Sequence, residues 1–311
     1  MIRKIICIIF SIIWVLNSHS QEFGTHWISY PFPDDSTEVM FRHTYITKHR
    51  PQQAYITFAS MGSCKVYINE RNVSREVYYR NTTPQGILLH TYDVTRYLRP
   101  DSNTIAVWYA PCPQATAYSQ NAASKQLTLD YYGTSHNGSA FYQQADESWS
   151  CSLSEGNRIT QDSIGNTIEV FDNRQYDNNW KASDFFFQES EKPVHRLLKK
   201  ETKGIYTTLP TYPAYVNRLR HVLSPIAEYE DSLGLHYDFG RFFQGSVRIT
   251  LRETKKGERL EINGLVYICS GEMDEQAFRR LSTSRQKSIT IKGDRHFRKS
   301  QIQKIEGLEI Y

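Results

Sequence analysis

Apolar residues recur at every second position in a series of short runs along this chain. Ala54-Tyr55-Ile56-Thr57-Phe58 and Cys64-Lys65-Val66-Tyr67-Ile68 alternate in this way, and Val247, Ile249 and Leu251 share one face of the run from Gly245 to Arg252. A period of two is that of a pleated strand with one buried face. Thr104-Ile105-Ala106-Val107-Trp108-Tyr109 is apolar on both faces, as a strand at the centre of a sandwich would be. Gln126 to Tyr131 reads as a further strand, with Asn137-Gly138-Ser139 as the turn beyond it. Glu253-Thr254-Lys255-Lys256-Gly257 is a turn, after which Arg259-Leu260-Glu261-Ile262 returns. Helical spacing is confined to the brief Asp274 to Leu281, where Asp274 is placed as an N-cap. Short strands separated by turns predict an all-β fold of two β-sandwich modules of the jelly-roll kind in tandem. The first spans residues 21–187 and the second, smaller one 226–311. Residues 188–225 read as a connector, polar as far as Lys203 and then broken by Pro210, Pro213 and Pro225.

Ahead of these modules, residues 1–20 have the parts of a signal peptide. Arg3 and Lys4 supply charge, Ile5 to Leu16 are apolar, and Ser18-His19-Ser20 is a small-x-small cleavage site. The apolar run falls short of the roughly 20 residues a spanning helix needs. The expectation is therefore a secreted or periplasmic protein with no membrane span once the leader is cleaved. Losing Arg3 and Lys4 takes the balance from 37 basic against 33 acidic residues to 35 against 33. So even a balance gives no electrostatic case for nucleic acid.

Four cysteines lie beyond the leader: Cys64, Cys112, Cys151 and Cys269. An oxidising compartment would let them form disulfides, in any of three full connectivities, and buried thiols are the alternative. None has C-x-x-C spacing, and the histidines show no metal-ligand spacing, so no metal or cofactor is expected and structural calcium is not indicated.

Several segments, in order, resemble the N-terminal half of bacterial α-L-rhamnosidases. Trp27-Ile28 and Phe41-Arg42 resemble the family's opening strands. Met61 to Asn69 is similar to its glycine–strand–Asn-Gly hairpin, with Glu70 where a glycine is expected. Tyr92-Asp93-Val94-Thr95-Arg96-Tyr97-Leu98 followed by Asn103 to Val107 resembles its Asp-Val-Thr stretch. Asn137-Gly138-Ser139 with Asp146-Glu147-Ser148-Trp149, and Phe171-Asp172-Asn173-Arg174 with Trp180, resemble the segments that close the module. Tyr237-Asp238-Phe239-Gly240 with Gln244-Gly245 looks like the start of the second sandwich. The resemblance implies galactose-binding-like β-sandwiches. In that family the cleaving carboxyl groups lie in a following (α/α) barrel, which this sequence does not contain, so no catalytic residue carries over.

A glycosidase needs two carboxylates flanking the scissile bond. Glu272, Asp274 and Glu275 are adjacent acids in a polar turn and read as solvated surface, and Asp172 with Arg174 reads as a structural ion pair. No nucleophile elbow, P-loop or dinucleotide fingerprint is present. Aromatic residues make up 13% of the chain, which strands alone would explain, although Tyr and Trp rings also stack on sugars. Trp108, among Ile105, Val107 and Tyr109, reads as core. Trp149 and Trp180 have polar neighbours and are expected near the surface; they and the Tyr78-Tyr79-Arg80 stretch are the candidate carbohydrate contacts. The function expected is a non-catalytic, carbohydrate-associated protein that binds glycan, rhamnose-containing glycan included, or assists polysaccharide degradation. The alternatives are a truncated or split glycoside hydrolase completed by a partner chain, and an envelope protein-interaction module.

Overall fold

The computed structural model describes residues 23–32, 37–73, 82–83, 86–111, 125–184, 192–196, 207–208 and 218–311. The leader, Tyr78, Tyr79, Arg80, Cys112 and most of the 188–225 connector lie outside them. Among the described residues the regular elements are strands, with single 3-10 turns at Thr95–Tyr97, Asn178–Lys181 and Lys299–Gln301. The chain is all-β, as its alternation predicts.

One sheet has six strands, in the order His195–Arg196, Trp27–Ser29, Gln126–Thr134, Gln53–Ser60 and His90–Asp93, with Ala140–Gln144 folded back on Gln126–Thr134. Its inner face meets Ser63–Ile68, Ser102–Ala110, Thr37–Ile46 and Ser150–Gln161, which belong to a fifteen-stranded sheet. Ile28, Phe41, Ile56, Phe58, Val107, Leu127, Leu129 and Trp149 fill the space between. Ser102–Ala110 shows why one strand is apolar on both faces. Ile105, Val107 and Tyr109 point into this core, while Ala106, Trp108 and Ala110 point into a second core with Leu235, Ile249 and Tyr267.

The two halves share a sheet as well as that second core. Thr167–Asp172 pairs in parallel with Leu265–Ile268, Glu169 opposite Leu265 and Asp172 opposite Ile268. The C-terminal half is built on Gly234–Arg252, which pairs with Ser284–Gly293 along its first part and with Ile302–Ile310 along its second. Gly245 marks the changeover. Its φ is +156°, and a Cβ there would lie 1.9 Å from the Leu308 carbonyl oxygen, so only glycine fits.

The helix expected from Asp274 is absent; Asp274–Phe278 is a strand paired with Arg248–Arg252. Glu275 and Ala277 are buried and alternate with exposed neighbours. Glu275 accepts from Thr254 Oγ1 (2.6 Å), Asn173 Nδ2 (2.9 Å), Tyr267 OH (3.0 Å) and two backbone amides, and those bonds require an extended segment. A local helical pattern yields here to tertiary pairing.

The motif residues singled out in the sequence hold strand ends together. Asn69 donates to Asn103 Oδ1 (3.0 Å) and accepts from Thr104 N (2.9 Å), while Thr95 Oγ1 accepts from Ala54 N (3.0 Å). Asn69 and Glu70 form the two-residue turn after Ser63–Ile68 with φ of +47° and +74°. Glu70 thus occupies a left-handed position that favours glycine.

Candidate functional site: a loop-end cleft

The loop after Thr37–Ile46 and the turn after Gln126–Thr134 meet at one end of the first sandwich. Gln52 N donates to Thr134 O and Gln52 Nε2 to His136 O, both at 2.9 Å, which lashes loop to hairpin. Thr47 N donates to Asp101 O (2.9 Å), Thr47 Oγ1 to Pro100 O (2.8 Å), and Arg50 Nη2 to Thr95 O (2.8 Å). Gly138, at φ +85°, completes the hairpin turn. Between them opens a cleft of about 370 Å³, within the size range of small-ligand sites.

Its floor and walls are aromatic and apolar. Tyr45 and Tyr131 lie 5.1 Å apart, Phe141 packs on Tyr131 at 5.0 Å, and Ile46 and Pro51 complete the apolar lining. Burial pushes the Tyr45 and Tyr131 phenols well above their usual range, so both hydroxyls stay protonated. At the rim, the His49 and His136 rings face each other at 4.9 Å, beside Lys48 and Asn137. A second depression, of about 460 Å³, lies beside Ala227–Asp231, but its Lys299 is already paired with Glu228 at 2.8 Å and Tyr237 is its one aromatic lining residue.

The structure corrects the expectation that Trp149 and Trp180 lie at the surface: they are 1% and 3% exposed. The polar residues before each are turn and cap groups. Asp146 Oδ1 accepts from Ser148 N (2.9 Å), and Trp149 drops into the core, stacked on His43 at 6.0 Å. Asp177 caps the 3-10 turn through Asn179 N (2.8 Å), and Trp180 packs edge-on against Tyr67 at 5.9 Å. Neither ring is open to a sugar face. The third candidate stretch, Tyr78, Tyr79 and Arg80, lies outside the described residues. Trp108 is core, as expected. The cleft residues Tyr45, Tyr131 and Phe141 were not singled out, because in sequence they are strand residues in an alternating pattern. Lys48-His49 and His136, bracketed by Pro51 and Gly138, were the available signal.

Paired acids do occur, but in the interior. Glu38 and Glu169 are both buried. Trp108 Nε1 donates to Glu38 Oε2 (2.6 Å), while Glu169 accepts from Arg280 N (2.6 Å), Leu281 N (3.1 Å) and Ser282 Oγ (2.9 Å). Burial, and then the charge of Glu169, hold the Glu38 carboxyl well above the usual carboxylate range. Burial, and then Arg280, bring the Lys65 ammonium down to about 8. The Arg280 guanidinium lies 4.2 Å from the Phe171 ring centre and 4.4 Å from that of Phe278. The cluster sits where the two halves join, and neither carboxyl is exposed to a substrate. Glu275 is likewise saturated with donors, Asp274 pairs with Arg252 at 2.8 Å, and Arg174 chelates Asp172 at 2.7 Å as a structural ion pair. Among the described residues no three His, Cys, Asp or Glu side chains converge as metal ligands.

Cys64, Cys151 and Cys269 are all buried, and no bridge joins these three to one another. The disulfide expectation fails among them: Cys64 and Cys151 sit on different strands of the first core, and Cys269 follows Leu265–Ile268 in the second. Burial pushes the Cys269 thiol up to about 12. Cys112 lies outside the described residues.

Comparison with known proteins agrees with this architecture. Residues 49–210 match the family model described as the α-L-rhamnosidase N-terminal domain. An α-L-rhamnosidase structure from Dictyoglumus thermophilum superposes with a TM-score of 0.78 at 20% identity, covering 92% of this chain and 35% of that enzyme. The Aspergillus terreus enzyme gives 0.73 at 16%, covering 92% and 36%. The Streptomyces avermitilis enzyme, solved with L-rhamnose, gives 0.69 at 16%, covering 90% and 29%. No curated protein matches the chain in sequence. The chain spans about a third of the length of these enzyme structures. By the model it matches over more than half its length, this chain belongs to the α-L-rhamnosidase N-terminal domain family.

Proposed function

We propose that this protein is an exported, non-catalytic glycan-binding protein whose ligand lies in the loop-end cleft. The observation that carries the reading is the cleft itself, with Tyr45, Tyr131 and Phe141 as apolar surfaces for the C–H face of a sugar ring and polar groups at the rim to orient it. Its lining contains no carboxylate, and Glu38 and Glu169 are sealed inside, so the reading assigns binding to this chain and no bond cleavage. Calorimetric titration against a glycan panel that includes L-rhamnose and rhamnose-containing oligosaccharides tests it. Saturable binding that falls at least tenfold in Phe141→Ala is the expected result. A flat response across the panel would contradict it.

Assembly with another polypeptide, such as a catalytic chain of a glycan-degrading system, is favoured by a different observation. Ile226, Tyr229 and Leu233 are 75%, 60% and 66% exposed along one margin of the C-terminal half, more apolar surface than isolated residues would explain. Glycan-independent pull-down that is lost in Tyr229→Asp would support this second role.

A further inference from the structure

We infer that the ligand of the cleft is an acidic sugar, a uronate, and not a neutral one; this rests on the glycan-binding reading above. The reason is the imbalance of polar groups at the rim. A neutral sugar presents hydroxyls, each of which both donates and accepts, so its sites combine amides and carboxylates with donors. Here two of the acceptors at the turn, Asn137 Oδ1 and His136 O, are already used. Asn137 Oδ1 accepts from Ser135 Oγ (2.6 Å) and Ser139 N (3.1 Å). Ser135 Oγ also reaches Ser139 O at 2.8 Å, and His136 O takes Gln52 Nε2. The other polar groups of the lining are Thr47, Lys48, the His49 and His136 rings, and Gln143, of which Lys48 carries a full positive charge.

Charge points the same way. Lys48 is exposed and has no acidic partner among the described residues, and the lining contains three groups able to carry positive charge and no carboxylate. Asp101 touches this loop through its backbone carbonyl and is not a lining residue. Arg50, on the same loop, is turned to Thr95 O, and the returning strand Ala140–Gln144 carries no charge. The His49 and His136 rings lie 4.9 Å apart beside Lys48, a grouping of nitrogen donors and an ammonium that suits an anion. Aromatic walls below and a cationic rim above suit a ring with an apolar face and a carboxylate at its edge.

The experiment is calorimetric titration of the full chain with oligogalacturonate and with the neutral galactose oligomer of equal length, at pH 6 and low salt. Uronate is expected to bind at least tenfold tighter, with the advantage shrinking as salt is added. In the combined Lys48→Gln, His49→Gln, His136→Gln variant, checked for folding by circular dichroism, the preference should vanish. Equal binding of the two oligomers would overturn the uronate assignment and leave glycan binding standing. Binding of neither would overturn both. A uronate preference that survives in the variant would remove the cleft as its site.

Discussion

The junction between the two halves and the cleft at the loop end are made of the same residue types and do opposite things. At the junction, the buried Glu38 and Glu169 and the partly buried Lys65 and Arg280 meet Trp108, Phe171 and Phe278. At the cleft, Lys48, His49 and His136 meet Tyr45, Tyr131 and Phe141 in an open depression. Burial displaces groups in both places, Glu38 and Lys65 at the junction and the Tyr45 and Tyr131 phenols in the cleft, so displaced proton affinity alone does not tell the two apart. Access separates them. The junction keeps its charges inside the seam of one continuous sheet, whereas Lys48, His49 and His136 at the cleft are exposed.

Substitutions should therefore divide into those that cost stability and those that cost binding. The largest stability loss is expected from Phe171→Ala. Its ring stacks on Tyr267 at 5.8 Å, packs on Trp108 at 6.0 Å and carries the Arg280 cation. About 4 kcal/mol should be lost, read by urea unfolding, and two resolved transitions in the variant would show that the junction couples the halves.

Glu38→Gln comes next and tests the sign of the buried acid. A carboxyl whose folded value is raised contributes stability that is complete at acidic pH and is lost as pH rises through that raised value. Wild-type stability should thus fall as pH rises from the ordinary carboxylate range to that raised value, by up to about 1.4 kcal/mol per pH unit, and level off above it. Below about 8 Lys65 does not reverse this trend, because its lowered value adds stability only as pH rises from there towards the usual lysine range. Glutamine keeps an acceptor for Trp108 Nε1, so the variant should show a flatter profile and be the more stable protein at pH 7.5. A profile identical to wild type would mean that Glu38 is not the titrating group.

A smaller effect, opposite in direction, is expected at the hairpin turn. Glu70→Gly relieves a left-handed φ of +74° and should raise stability by about 0.5–1 kcal/mol after allowing for the greater unfolded-state freedom of glycine. The smallest change belongs to Lys48→Ala and His49→Ala. Both side chains are exposed, so stability should stay within about 0.5 kcal/mol of wild type while glycan affinity drops.

How far the sequence could be read follows the same division. The strand period and the ordered motifs were sufficient for an all-β fold and the family, because each motif carries its own polar residues, Asn69, Thr95 and Asn103, which bond strand ends within the first half. The continuous sheet was not legible, since the parallel pairing of Thr167–Asp172 with Leu265–Ile268 joins segments almost a hundred residues apart. Strand Asp274–Phe278 was misread as helix because Glu275 is fixed by Asn173, Thr254 and Tyr267, none of which its own segment announces. Trp149 and Trp180 were placed outside because Asp146 and Asp177 look like solvated neighbours, when in fact they cap the turns that drive each ring inward. The cleft needs two loops at once, and neither loop alone has a pattern to mark it.

The most direct test is amide chemical-shift mapping of the isotopically labelled protein during titration with a glycan ligand. Perturbations concentrated in residues 45–51 and 131–143 are the expected outcome, with the junction around Glu38, Glu169 and Arg280 unmoved. Shifts centred on any other surface, or none at saturating glycan, would contradict the assignment of this cleft as the binding site.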